Sequence, residues 1–169
     1  MSRRANREKV FQLLFSADYY RPEEMTEQIR HFFESEEAAY FEKKRLEAEA
    51  KEIDPNSLDL ILPASMLRSR EEVRERVLQI LPEISELDGQ LNEKIDGWDT
   101  TRIGRVELTV LRLALYEMQY DESISEAVAI NEAVELAKKF GQEKSAEFIN
   151  GVLAKFTEKN QNGSSDKTE

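Results

Sequence analysis

Residues 103–120 read IGRVELTVLRLALYEMQY. Val106, Val110, Leu113 and Ala114 form one helical stripe, while Leu108, Leu111, Leu115 and Met118 fill most of the remaining circumference. A helix that is apolar nearly all round is stable only when other elements surround it, so this segment predicts the central helix of a packed core.

The flanking sequence supplies those other elements. Downstream, Ser123-x-x-Glu126 has the form of a capping box opening Ala127 to Phe140, with Lys138 and Lys139 in the last turn and Gly141 placed to stop it. A final helix is expected from near Glu143, carrying Ser145, Phe148, Ile149, Val152, Leu153 and Phe156 on one face. Upstream, Ile84, Leu87, Leu91 and Ile95 recur at near four-residue spacing until Gly97, just before Trp98. Pro82 must kink or restart the helix that begins near Glu71 with Val73, Val77, Leu78 and Leu81 on one side. At the start of the chain, Val10, Leu13, Leu14 and Ala17 form the stripe of a helix over Arg4 to Tyr20, widened by Phe11 and Phe15. Pro22, Glu23 and Glu24 suit the opening of another helix through Met25, Ile29, Phe32 and Phe33.

Two stretches read differently. Residues 34–52 are rich in helix formers but poor in large apolar side chains, and are expected to extend into solvent or to be partly ordered. Ile53 to Arg70, with Pro55, Asn56, Pro63 and serines, reads as a connector. Together, residues 34–70 look like an acidic, partly helical insertion, and NQNGSSDKTE from Asn160 reads as a disordered tail. No strand pattern is visible, so the fold predicted is all-α with six or seven helices, one domain over residues 1–159.

Composition narrows the chemistry. With no cysteine and one histidine in 169 residues, thiolate nucleophiles, Cys-based metal sites and multi-histidine centres have nothing to be built from. His31 reads as an ordinary surface or boundary residue. The carboxylate pairs Glu23–Glu24, Glu36–Glu37 and Glu71–Glu72 lie in solvated charge runs and, as sequence neighbours, point to different sides of a helix. No catalytic residue, cofactor or metal is expected. No window approaches 18 apolar residues, and the run from Val10 to Phe15 is broken by Gln12 and closed by Asp18, so no membrane partner and a cytoplasmic location are expected.

The net charge of −11 argues against a nucleic-acid partner, but its distribution does not. Residues 1–22 carry five bases against two acids, whereas residues 23–60 carry twelve acids against five bases. Arg3, Arg4 and Arg7 share helix faces at three- and four-residue spacing, either to track a nucleic-acid backbone or simply as a solvated helix start. The turn from Lys138 to Ser145 brings ammonium groups, an aromatic ring, a glycine and a new helix N-terminus together. That is a seat for a phosphate beside a stacked base, or only lysines complementing a helix dipole with Phe140 in the core. Arg112, in the middle of the most apolar helix, calls for a carboxylate partner in a structural ion pair, with Glu132 or Glu135 on the next helix as the source. Trp98 and Arg102 are either a stacked pair or a core anchor at a helical corner.

The block ELTVLRLALYEM, followed by AVAINEAVELAKKFG and SAEFINGVLAKF within residues 107–156, closely resembles the NusB family of bacterial transcription antitermination factors, and RRANREKVFQLLF at residues 3–15 resembles its first helix. The resemblance implies an all-helical domain of two packed bundles with no enzymatic activity. It implies binding to boxA-like single-stranded RNA of rRNA leader transcripts, together with the ribosomal protein NusE, in the transcription elongation complex. Carried over by position, the RNA-binding residues are Arg3, Arg4, Arg7, Phe140, Gly141, Gln142, Lys144, Ser145 and Phe148, and the protein-partner interface includes Phe15 and Glu107. The two basic clusters are then expected to form one positive patch. The insertion at 34–70, Pro82, Lys144 where an acid is common, and Ser125 where a proline is common all depart from the family pattern. The competing reading is a helical protein–protein scaffold or homodimer that binds no RNA.

Overall fold

The computed structural model describes residues 2–97 and 101–157, so Trp98 and the tail from Asn160 lie outside the described residues. Among the described residues, seven α-helices follow one another: α1 Arg3–Ala17, α2 Met25–Ala50, α3 Ala64–Ile80, α4 Ile84–Lys94, α5 Arg105–Tyr120, α6 Glu126–Phe140 and α7 Ser145–Ala154. No strand occurs among the described residues. The chain divides into two compact units, residues 1–77 and 78–169.

In the first unit, α1 packs on α2 through Val10, Phe11, Leu13 and Leu14 from one side and Met25, Ile29 and Phe33 from the other. A 3-10 turn at Pro22–Glu24 precedes α2, where the backbone N–H of Arg21 donates to Glu24 Oε2 at 2.8 Å. Hydrogen bonds from Arg21 hold the Glu24 carboxyl below its ordinary value. The segment after Phe33 is continuous helix through Ala50, most of it exposed, and Ala48 is buried near its end. Its acids are largely matched within the unit. Glu36 pairs with Lys9, Glu37 with Arg70 at 3.1 Å and Glu34 with Arg30 at 2.5 Å, the last shared with Glu27 of the preceding turn at 2.6 Å. α2 ends as Ile53 N–H bonds back to Ala48 O at 3.0 Å, with Glu52 at φ 58° in the left-handed position that usually falls to glycine.

Residues 64–70 correct the connector expected up to Arg70: they form the first turns of α3. Pro63 lies just before the helix, where its missing N–H costs nothing, and its carbonyl accepts from Met66 and Leu67. The serines are not breakers here; Ser69 is buried and its hydroxyl donates to Asn6 of α1. Arg70 reaches α2, donating to the Phe33 carbonyl at 2.7 Å.

The second unit is built round α5, in which Leu108 to Glu117 are all buried. α4, α6 and α7 pack against it, contributing Leu87 and Leu91, then Ala129, Ala133, Leu136 and Ala137, then Ile149, Val152 and Leu153. Pro82 sits in a 3-10 turn, Leu81–Glu83, so α4 is a restart of the helix, as a proline requires. Gly97, at φ 73°, ends the described part of the turn after α4.

The helix cap before α6 also differs from the capping box read at Ser123. Ser125 is the N-cap, its hydroxyl accepting from Val128 N–H at 3.2 Å. Ser123 instead donates its backbone N–H to Asp121 Oδ1 at 3.0 Å, an Asx turn that ends α5. Ser125→Ala should lower stability by about 1 kcal/mol in urea denaturation, whereas Ser123→Ala should cost less.

Candidate nucleic-acid interface

The N-terminal cluster belongs to the first unit. Ser2 caps α1 by accepting from Ala5 N–H at 3.1 Å, which sets Arg3 and Arg4 exposed on its first turn and Arg7, half-buried, one turn on. No acid lies in that turn. Cations are least favourable at the positive end of a helix, so these arginines oppose the dipole of the helix that carries them. Phe15, further along α1, is half-buried between Phe11 and Tyr19, with ring centroids 6.2 and 5.9 Å away.

The glycine turn belongs to the second unit. Lys138 and Lys139 are exposed in the last turn of α6, and the Lys139 ammonium lies 5.4 Å from the centre of the half-buried Phe140 ring. Gly141 N–H donates to Ala137 O at 2.9 Å. A Cβ at Gly141 would lie 2.7 Å from that carbonyl oxygen and 2.7 Å from the Ser145 side chain, so only glycine fits. Gln142 and Lys144 are exposed, and α7 starts at Ser145 with its positive dipole end toward the turn.

An open cleft of about 480 Å³ lies beside this turn, lined among others by Arg102, Glu107, Gln142, Lys144 and Phe148. Ser145 is only 5% exposed, as its place on the apolar face of α7 implies. Its Oγ accepts from Gln142 N–H at 2.9 Å and donates to Glu107 Oε1. Ser145 therefore acts on the turn's own backbone, and the Glu107 carboxylate is engaged by it.

Away from the turn, Arg112 is the ion-paired residue that its position demanded. Its Nε and Nη2 each donate to Asp88 at 2.7 Å, with the two side chains 8% and 21% exposed. Sequence alone points forward to Glu132 or Glu135 of α6, whereas this bidentate carboxylate comes from α4 behind it. Asp88 had a readable signal. It falls at Ile84 + 4 and Leu91 − 3, on the apolar stripe of its own helix. His31 is exposed between Glu27 and Glu34, at 3.2 and 3.3 Å. No helix among the described residues is long and apolar enough to cross a membrane.

A family model described as the NusB family matches residues 4–158. The chain is 35% identical over 155 residues to the transcription antitermination protein NusB of Lachnoclostridium phytofermentans, covering 92% of this chain and 98% of that one. Against the NusB of Agathobacter rectalis it is 35% identical over 156 residues, covering 92% and 99%. Among solved structures, T. maritima NusB superposes with a TM-score of 0.64 at 26% identity, over 92% of this chain and 89% of that one. With a match that runs nearly end to end and an all-helical structure of the same kind, the chain belongs to the NusB family of transcription antitermination proteins.

Proposed function

We propose that this chain is a non-enzymatic adaptor of the cytoplasm that binds boxA-like single-stranded RNA of rRNA leader transcripts, together with the ribosomal protein NusE, in the transcription elongation complex. One observation carries the RNA part: Lys138, Lys139 and Lys144 are exposed around a turn flanked by Phe140 at the end of α6 and by Phe148 and the N-terminus of α7. Ammonium groups and a helix N-terminus attract phosphate, and aromatic faces stack unpaired bases. Arg3, Arg4 and Arg7, set against the dipole of α1, hold further phosphates. Gly141, Gln142 and Ser145 shape the turn. Phe15, and whatever of Glu107 its bond to Ser145 leaves accessible, contribute to the surface for the protein partner.

The test is binding of a boxA-like single-stranded RNA across a salt series, with and without NusE. If about four phosphates are neutralised, log affinity should fall against log salt with a slope of roughly −3, and replacing Arg3 and Arg4 by Ala should flatten it by about 1.4. A slope near zero would sink this reading in favour of a protein scaffold that touches no RNA.

A further inference from the structure

Glu107 is an acid lining the same cleft as Lys144, where by charge alone it should hinder an anionic ligand. It occupies the first turn of α5, where the dipole favours a carboxylate, and folds back so that a Cβ on Gly104 would meet its Oε2. Its other oxygen accepts a hydrogen bond from the buried Ser145 hydroxyl. A hydroxyl has one proton to give. Once that proton is directed at Glu107, Ser145 Oγ presents its lone pairs to the Gln142 N–H at 2.9 Å. Ser145 N–H in turn donates to Gln142 O at 3.0 Å, so the turn is closed from both ends.

We propose that Glu107 is a positioning residue for RNA binding: through Ser145 it fixes the Gly141–Lys144 backbone in the conformation that meets the ligand, an effect that outweighs its own repulsion of phosphate. This rests on the reading of that turn as an RNA site. Charge and positioning predict opposite signs for the same substitution.

Hydrogen exchange at the Gln142 amide and affinity for a boxA-like single-stranded RNA are measured on the full chain and on Glu107→Ala, Glu107→Gln and Ser145→Ala. Glu107→Ala should speed that exchange about tenfold and weaken RNA binding about fivefold, although it removes a negative charge; the loss is the size of one ordinary hydrogen bond. Glu107→Gln keeps an acceptor for Ser145 and should restore both values. Ser145→Ala removes the acceptor of the Gln142 N–H together with the bond to Glu107, so Glu107→Ala should add nothing on that background; this double-mutant comparison carries the test if Glu107→Ala lowers stability. Binding by Glu107→Ala that equals or exceeds that of the unmodified chain, or an unchanged Gln142 amide, overturns the proposal. If the unmodified chain binds no RNA at all, the functional reading above fails first and takes this inference with it, a result distinct from normal binding that is indifferent to Glu107.

Discussion

Asp88→Ala should lower the stability of the second unit by about 3 kcal/mol, measured as a shift of the urea midpoint at unchanged slope. The substitution removes two acceptors, each at 2.7 Å, from an arginine that is 8% exposed in the most deeply buried helix among the described residues. A guanidinium cannot lose its proton to escape an apolar setting, so the desolvation cost falls on the folded state. The estimate lies at the low end of the range for broken buried pairs because Asp88 itself keeps 21% of its side-chain surface in solvent. The double change Asp88→Ala with Arg112→Met should recover most of the loss, since it also removes the charge. A cost below about 1 kcal/mol for the single change would mean that water already screens the pair.

The second large effect is expected at Gly141. Its backbone, at φ −94° and ψ −171°, suits any residue, so Gly141→Ala carries no conformational penalty. The obstacle is space. The added carbon would lie 2.7 Å from the Ala137 carbonyl oxygen, which is main chain inside α6, and equally close to the Ser145 side chain, which the turn needs in place. The link between α6 and α7 must therefore open, at a cost of about 2 kcal/mol. RNA affinity should fall about tenfold with it, because the turn that presents Gln142 and Lys144 is displaced. Lys144→Ala, by contrast, should weaken binding mainly at low salt and leave the urea midpoint unchanged. Equal RNA binding by Gly141→Ala would detach the turn from the ligand.

Where burial follows from local pattern, the fold was readable in advance. The circumference of α5 follows from spacing and the restart at Pro82 from a residue with few conformational options; α6 does stop at Gly141, but there the glycine is needed for its missing Cβ and not for a left-handed backbone. Ser145 falls in line with Ile149, Val152 and Phe156, so its burial was also implicit in the sequence. Elements decided by tertiary contact were less legible. Pro63 and the serines after it carry breaker chemistry, and only the packing of Met66 and Ser69 makes a helix of them. Two serines compete for the cap of α6, and the choice depends on where Asp121 turns the chain. The link from Glu107 to Ser145 spans 38 positions, and no local periodicity encodes it. The partner of Arg112 was missed for the same reason, although the acid on the α4 stripe marked the place.

The ten-residue window from Leu108 to Glu117 leaves evolution almost no room. An ordinary amphipathic helix has a wet side on which lineages diverge freely, but here every exchange must satisfy neighbours on some other helix at the same time. Sequence drift in this protein should therefore be slowest along that one segment, with the few polar members, Thr109, Arg112 and Glu117, changing only in concert with the groups they touch.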